Sequence, residues 1–219
     1  MVRMKILIFL WIIIICYLSF LFSPPAAGFI GESSRIVFFH VPIAWLTVLS
    51  FLVAMIQAIR FLKTRDPIYD LMSAVACRQG FLFAILATVT GSVFARVMWQ
   101  SFWNWDPRET SITILLFIYA AYLVLRASIE DPQRRAVLSS VYATFSFIPA
   151  LFLIFIVPRV YYSLHPDTLI NVQGKIQMYG RILFTFVFSL GGFTALYFWM
   201  YNLECRIEKL LYRKEGYYD

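Results

Sequence analysis

Six long apolar runs, at about residues 4–22, 36–62, 80–98, 107–126, 136–158 and 182–203, account for most of this chain. Crossing the hydrocarbon of a bilayer as a helix takes about 20 mostly apolar residues, and each run meets or approaches that length. Only short polar pieces separate them. The pattern predicts an all-α integral membrane protein: a six-transmembrane-helix bundle, one transmembrane domain over residues 1–219, with no separate soluble module. Composition agrees, with 61% hydrophobic and 14% charged residues and a mean hydropathy of +0.75, beyond the range of ordinary soluble domains. Around the first run, Arg3 and Lys5 in front and Pro25-Ala26-Ala27-Gly28 behind sketch a signal peptide. Its apolar stretch is long for a secretory core, so it reads as a spanning helix.

Orientation follows from Lys and Arg, which accumulate in cytoplasmic loops. With the N-terminus inside, thirteen of the 19 basic residues fall on the cytoplasmic side, and six (Arg35, Arg96, Arg108, Arg159, Lys175 and Arg181) fall outside. Both termini are therefore expected in the cytoplasm, and the loops 23–35, 99–106 and 159–181 outside. The net charge of +7 needs no nucleic acid, because topology signals and attraction to anionic lipid account for it.

Three Asp-Pro pairs punctuate the chain: Asp66-Pro67, Asp106-Pro107 and Asp131-Pro132. Asp accepts from orphan backbone N–H groups at a helix start, and Pro occupies the first helical position without losing a bond. Glu109 adds a capping box to the second pair. Asp106 and Glu109 thus have a structural role available beside any direct contact with a ligand.

Between the third and fourth runs lies Trp99-Gln100-Ser101-Phe102-Trp103-Asn104-Trp105-Asp106-Pro107-Arg108-Glu109-Thr110, which holds three of the six tryptophans. If helical, it would place Trp99, Phe102 and Trp103 on one face, with Trp105 to the side. An interfacial aromatic belt accounts well for Trp11, Trp45 and Trp199 but less well for three Trp within seven residues. The only histidines, His40 and His165, fall on the same side as this loop. Two imidazoles, a tryptophan shelf and arginines suit haem, whose iron takes two axial nitrogens and whose propionates take cationic partners. Among Arg35, Arg96, Arg108 and Arg181, Arg108 is the leading candidate for a propionate. Zinc would need further ligands from Asp106, Glu109, Glu32 or Asp167. Pro42, just after His40, is placed to help aim that side chain. Gly191-Gly192 with Ala195 reads as a close helix contact.

Cys16, Cys77 and Cys205 offer no external pair, and no Cys-x-x-Cys-His sequence exists. A covalent c-type cytochrome and a thiol reductant are thereby excluded. No nucleophile and base constellation marks an enzyme.

The segment Trp99–Thr110 resembles the tryptophan-rich "WWD" motif of the haem-handling proteins of cytochrome c biogenesis. Phe39-His40-Val41-Pro42-Ile43-Ala44-Trp45 and Tyr161-Tyr162-Ser163-Leu164-His165 resemble the two histidine motifs of its CcmC type. Six helices, a similar length and similarity through nearly the whole chain accompany them. The resemblance implies that His40 and His165 are axial ligands of haem b, with Trp99, Phe102, Trp103, Trp105, Asp106 and Arg108 completing the cofactor-binding set. It also implies delivery of haem, at the outer face of the cytoplasmic (inner) membrane, to a periplasmic CcmE-like chaperone, alongside a small CcmD-like membrane subunit and a CcmAB-like ABC transporter. Gln100 and Phe102 depart from the motif, and Asp106-Pro107-Arg108-Glu109-Thr110 is closer to the CcsA-type synthases. That type is larger and carries further histidines. A bis-histidine cytochrome b subunit would hold its ligands on facing helices within the bilayer, whereas His165 precedes Pro166 in a polar loop. A haem permease would call for histidines on the inner side as well.

Overall fold

A computed structural model describes residues 2–26, 29–165 and 178–214. Among them, six helices are long and apolar enough to cross a membrane: α1 (Met4–Phe22), α2 (Gly31–Thr64), α3 (Pro67–Trp99), α4 (Pro107–Ser128), α5 (Pro132–Val160) and α6 (Gly180–Lys214). The expected helical bundle is what the chain forms. Several helices outrun their apolar windows, because backbone hydrogen bonding continues into polar turns that hydropathy does not score. Thus α3 begins at Pro67 rather than near residue 80, and α6 continues to Lys214. Ala27, Gly28 and residues 166–177 of the loop expected at 159–181, including Pro166, Asp167 and Lys175, lie outside the described residues.

All three Asp-Pro pairs start helices. Asp66 accepts from the Ile68 amide at 2.9 Å, Asp106 from the Arg108 amide at 2.9 Å and Asp131 from the Arg134 amide at 2.6 Å. Each satisfies an otherwise orphaned N–H, which is worth about 1 kcal/mol.

Helix α2 occupies the centre, packing most on α3 and also on α5 and α6. Its Leu46, Phe51, Ala54 and Ala58 meet Val75 and Ala76 of α3, Tyr119 of α4, Phe147 of α5 and Tyr197 of α6 in one core. Helix α1 leans mainly on α6. There Gly192 is required: a Cβ would stand 2.8 Å from Trp11 Cδ1 and 2.6 Å from Ile15 Cδ1. Trp11 Nε1 donates to the Phe188 carbonyl at 3.2 Å, and Trp45 Nε1 to Thr194 Oγ1 at 3.2 Å. These two tryptophans have a tertiary role beyond the belt expected from the sequence. They tie α1 and α2 to α6 well inside the helices, where lipid supplies an indole no acceptor.

Pro42 sits inside α2 and lacks the N–H that would bond the Phe38 carbonyl one turn earlier. Ser189 of α6 donates its hydroxyl to that carbonyl instead. At the end of the bundle away from His40, charged pairs do the joining. Arg126 of α4 makes two 2.7 Å bonds to Asp70 of α3. Arg78 of α3 bridges Glu204 and Glu208 of α6 at 2.8 and 2.6 Å, and Gln79 adds a 2.8 Å bond to Glu204.

Candidate functional site

Helix α3 stops at Trp99 because Gln100 takes a left-handed backbone conformation, φ 61°. The tryptophan segment beyond it is not helical, so the common face of Trp99, Phe102 and Trp103 does not form. Trp99 packs its ring 5.1 Å from that of His165 and 5.7 Å from Phe94. Phe102 is exposed, with the Arg96 guanidinium 5.6 Å from its ring. Trp103 and Trp105 meet edge to face at 6.0 Å, and Trp105 is 73% exposed.

Trp105 is also left-handed, φ 54°, a conformation that costs a residue with a Cβ about 1–2 kcal/mol. The start of α4 holds it there. Glu109 accepts from the amides of Asn104 and Asp106 at 2.7 and 3.3 Å, and Thr110 Oγ1 donates to the Trp105 carbonyl at 3.3 Å. This is the capping box the sequence suggests. It presents the Trp103–Trp105 pair as a rigid extension of a helix.

Asp106, 4% exposed, goes further than capping. Its Oδ1, already bonded to the Arg108 amide, also accepts from Ser163 Oγ at 2.9 Å, and its Oδ2 accepts from the Leu164 amide at 2.7 Å. One carboxylate therefore fastens the tryptophan loop to the segment that carries His165. Burial alone would raise its pKa. The hydrogen bonds from the Arg108 amide, the Leu164 amide and Ser163 outweigh burial and hold the carboxyl below its ordinary value.

His165 Nδ1 lies 3.5 Å from Asp106 Oδ1, too long for a good hydrogen bond, and is buried without another partner among the described residues. Burial, then the Arg108 charge, lowers the pKa of His165 to about 4, with Asp106 opposing. Its imidazole is neutral at pH 7 and keeps a lone pair for a metal. His40, on the first turns of α2, turns toward α3. There its Nδ1 is 2.8 Å from Thr90 Oγ1, and a Cβ on Gly91 would stand 3.2 Å from its Cε1.

The structure thus brings His40, His165, Trp99, Asp106 and Arg108 to one end of the bundle. The Arg108 charge acts on both imidazoles. Of the other arginines considered for a propionate, Arg35 bonds Glu32 and the carbonyls of Ser19 and Ser23, Arg96 bonds the Gln100 carbonyl, and Arg181 lies over the Phe22 ring. Phe102, Trp103 and Trp105 lie on the same loop, with Phe102 and Trp105 exposed and Trp103 half-buried. Sequence reasoning missed Phe94, Thr90 and Gly91, for which no local signal exists. It also missed the latch residue Ser163, which lies two residues before His165. An imidazole nitrogen buried without a hydrogen-bond partner among the described residues, a glycine floor beside the other imidazole and a cation near both fit a group that takes two imidazoles and carries anionic substituents, as haem does.

Fold and site together define a polytopic membrane protein with its candidate site at one end of a helical bundle. The chain belongs to the CcmC family, described as Heme exporter protein C, which matches residues 1–217. It is 38% identical over 106 residues to Heme exporter protein C of Bradyrhizobium diazoefficiens, covering 48% of this chain and 40% of that one. Over a longer stretch of 197 residues it is 28% identical to Heme exporter protein C of Rhodobacter capsulatus, covering 87% and 78%. A ccmC-like mitochondrial protein of Marchantia polymorpha is 42% identical over 93 residues, 42% of this chain and 41% of its own. The chain therefore spans about two fifths of the Bradyrhizobium and Marchantia relatives (40% and 41%).

Proposed function

We propose that this protein binds haem b at the outer surface of the cytoplasmic membrane and delivers it to a periplasmic, CcmE-like haem chaperone for cytochrome c maturation. His40 and His165 hold the iron, Arg108 faces a propionate, and Trp99 covers part of the ring. Haem is cargo here, and the protein acts as a transfer site rather than as an enzyme. A CcmD-like subunit and a CcmAB-like transporter share the task, and residues 1–219 act as one membrane domain with both termini cytoplasmic. What supports the reading is the meeting of both histidines and Arg108 at the end of the bundle where Asp106 joins the tryptophan loop to the His165 segment. Membership of a family described as a heme exporter agrees with it.

The test is the visible spectrum of protein purified with haem. Replacing either histidine with Ala is expected to shift the Soret and visible bands and weaken retention. Unchanged spectra in both variants would refute the ligand assignment.

A further inference from the structure

Thr90 of α3 carries one hydroxyl proton and three close neighbours. Its Oγ1 stands 2.8 Å from the Leu86 carbonyl one turn back, 3.2 Å from the Ala87 carbonyl and 2.8 Å from His40 Nδ1. Both carbonyl oxygens can only accept, so the hydroxyl proton satisfies the geometry best when it points to the backbone. The oxygen then has only lone pairs left for the imidazole, and His40 Nδ1 must be the donor. The opposite arrangement, with the hydroxyl donating to a bare Nδ1, gives up the bond to the backbone. It loses about 1 kcal/mol for that one hydrogen bond.

From this geometry we infer that Thr90 is a positioning residue that fixes the tautomer of His40, placing its proton on Nδ1 and leaving Nε2 as the bare, ligating nitrogen. Gly91, the next residue, provides the floor. Its missing side chain lets the ring lie against α3, since a Cβ there would already stand 3.2 Å from Cε1 and 3.9 Å from both ring nitrogens. The ring is held at one nitrogen and along one edge by a single turn of a neighbouring helix. An imidazole so held presents Nε2 in one direction without paying to select a tautomer or a rotamer when its ligand arrives. The consequence for haem rests on the proposed function; the tautomer itself does not.

Two measurements separate the two claims. In full-length protein labelled with 15N-histidine and purified in detergent without haem, nitrogen chemical shifts distinguish protonated from bare ring nitrogens. With only two histidines in the chain, His165→Ala assigns the signals. The expected result is a His40 protonated at Nδ1 and bare at Nε2, a tautomer mixture in Thr90→Val, and recovery in Thr90→Ser. A wild-type His40 protonated at Nε2, or a pattern indifferent to Thr90→Val, overturns the inference. The second measurement is haem titration of the same variants. Loss of such a supporting partner is expected to weaken haem binding by about 10- to 100-fold in Thr90→Val, with Thr90→Ser near wild type. If the tautomer responds to Thr90 while haem affinity does not, the tautomer lock stands and ligation through His40 falls.

Discussion

Asp106 uses one carboxylate oxygen for the helix cap and Ser163 and keeps the other for the Leu164 amide, and that second role can be tested at the level of the atom. Asn is as good a helix cap as Asp, so Asp106→Asn keeps an acceptor for the Arg108 amide. Its amide nitrogen, however, cannot accept from Leu164. The expected outcome is unchanged helix content by circular dichroism with faster hydrogen exchange at the Leu164 amide, reflecting loss of a charge-assisted bond worth about 1.5–3 kcal/mol. Asp106→Ala should lose both, and identical behaviour of the two variants would refute the divided role. Gly91 makes a second case at this scale. Gly91→Ala should weaken haem retention slightly and Gly91→Val strongly, read from the Soret band after gel filtration, because the larger side chain pushes into the His40 ring. Asp106 was visible in the sequence as a cap, because capping is local chemistry. Its hold on Ser163 and Leu164 was not, because it joins residues 57 and 58 positions apart.

Helix α2 shows how a proline can be kept inside a span. Pro42 leaves the Phe38 carbonyl without its usual amide, and Ser189 supplies the missing donor. Ser189→Ala is expected to destabilise the protein by about 1–3 kcal/mol, since the carbonyl is then buried unsatisfied. In a Pro42→Ala background, where the helix regains its own amide, the same change should cost clearly less. Thermal denaturation of the four proteins in detergent measures the coupling, and strict additivity would count against it. Hydropathy located every one of these helices, because length and apolarity suffice for that. It did not place the tryptophans. Trp11 and Trp45 look like belt residues in sequence, yet their indoles reach acceptors on α6. The segment after Trp99 offered helical spacing, but one left-handed residue, Gln100, broke it.

For the molecule as a whole, the charge asymmetry of the sequence gives the expectation that Ser101 and Ser163 lie on the outer side. Cysteines introduced at both positions are expected to react with an impermeant reagent from that side, and labelling only from the cytoplasm would invert the orientation. If the proposed function and that orientation hold, the Trp103–Trp105 pair, with Trp105 73% exposed, is where a chaperone is expected to dock. Replacing both with Ala should lower haem–chaperone complex formation, scored by co-purification and haem staining, without impairing membrane insertion. Normal loading would reduce the pair to an interfacial anchor. Helix α6 ties both ends of this architecture together. It brings Glu204 and Glu208 to Arg78 at one end and Ser189 to the carbonyl two residues before His40 at the other. During synthesis α6 is the last of the six to leave the ribosome. Until it arrives, an arginine on α3 and a carbonyl on α2 wait in the membrane for partners not yet translated. The Phe38 carbonyl, two residues before His40, therefore gains its donor only once the sixth helix has been translated.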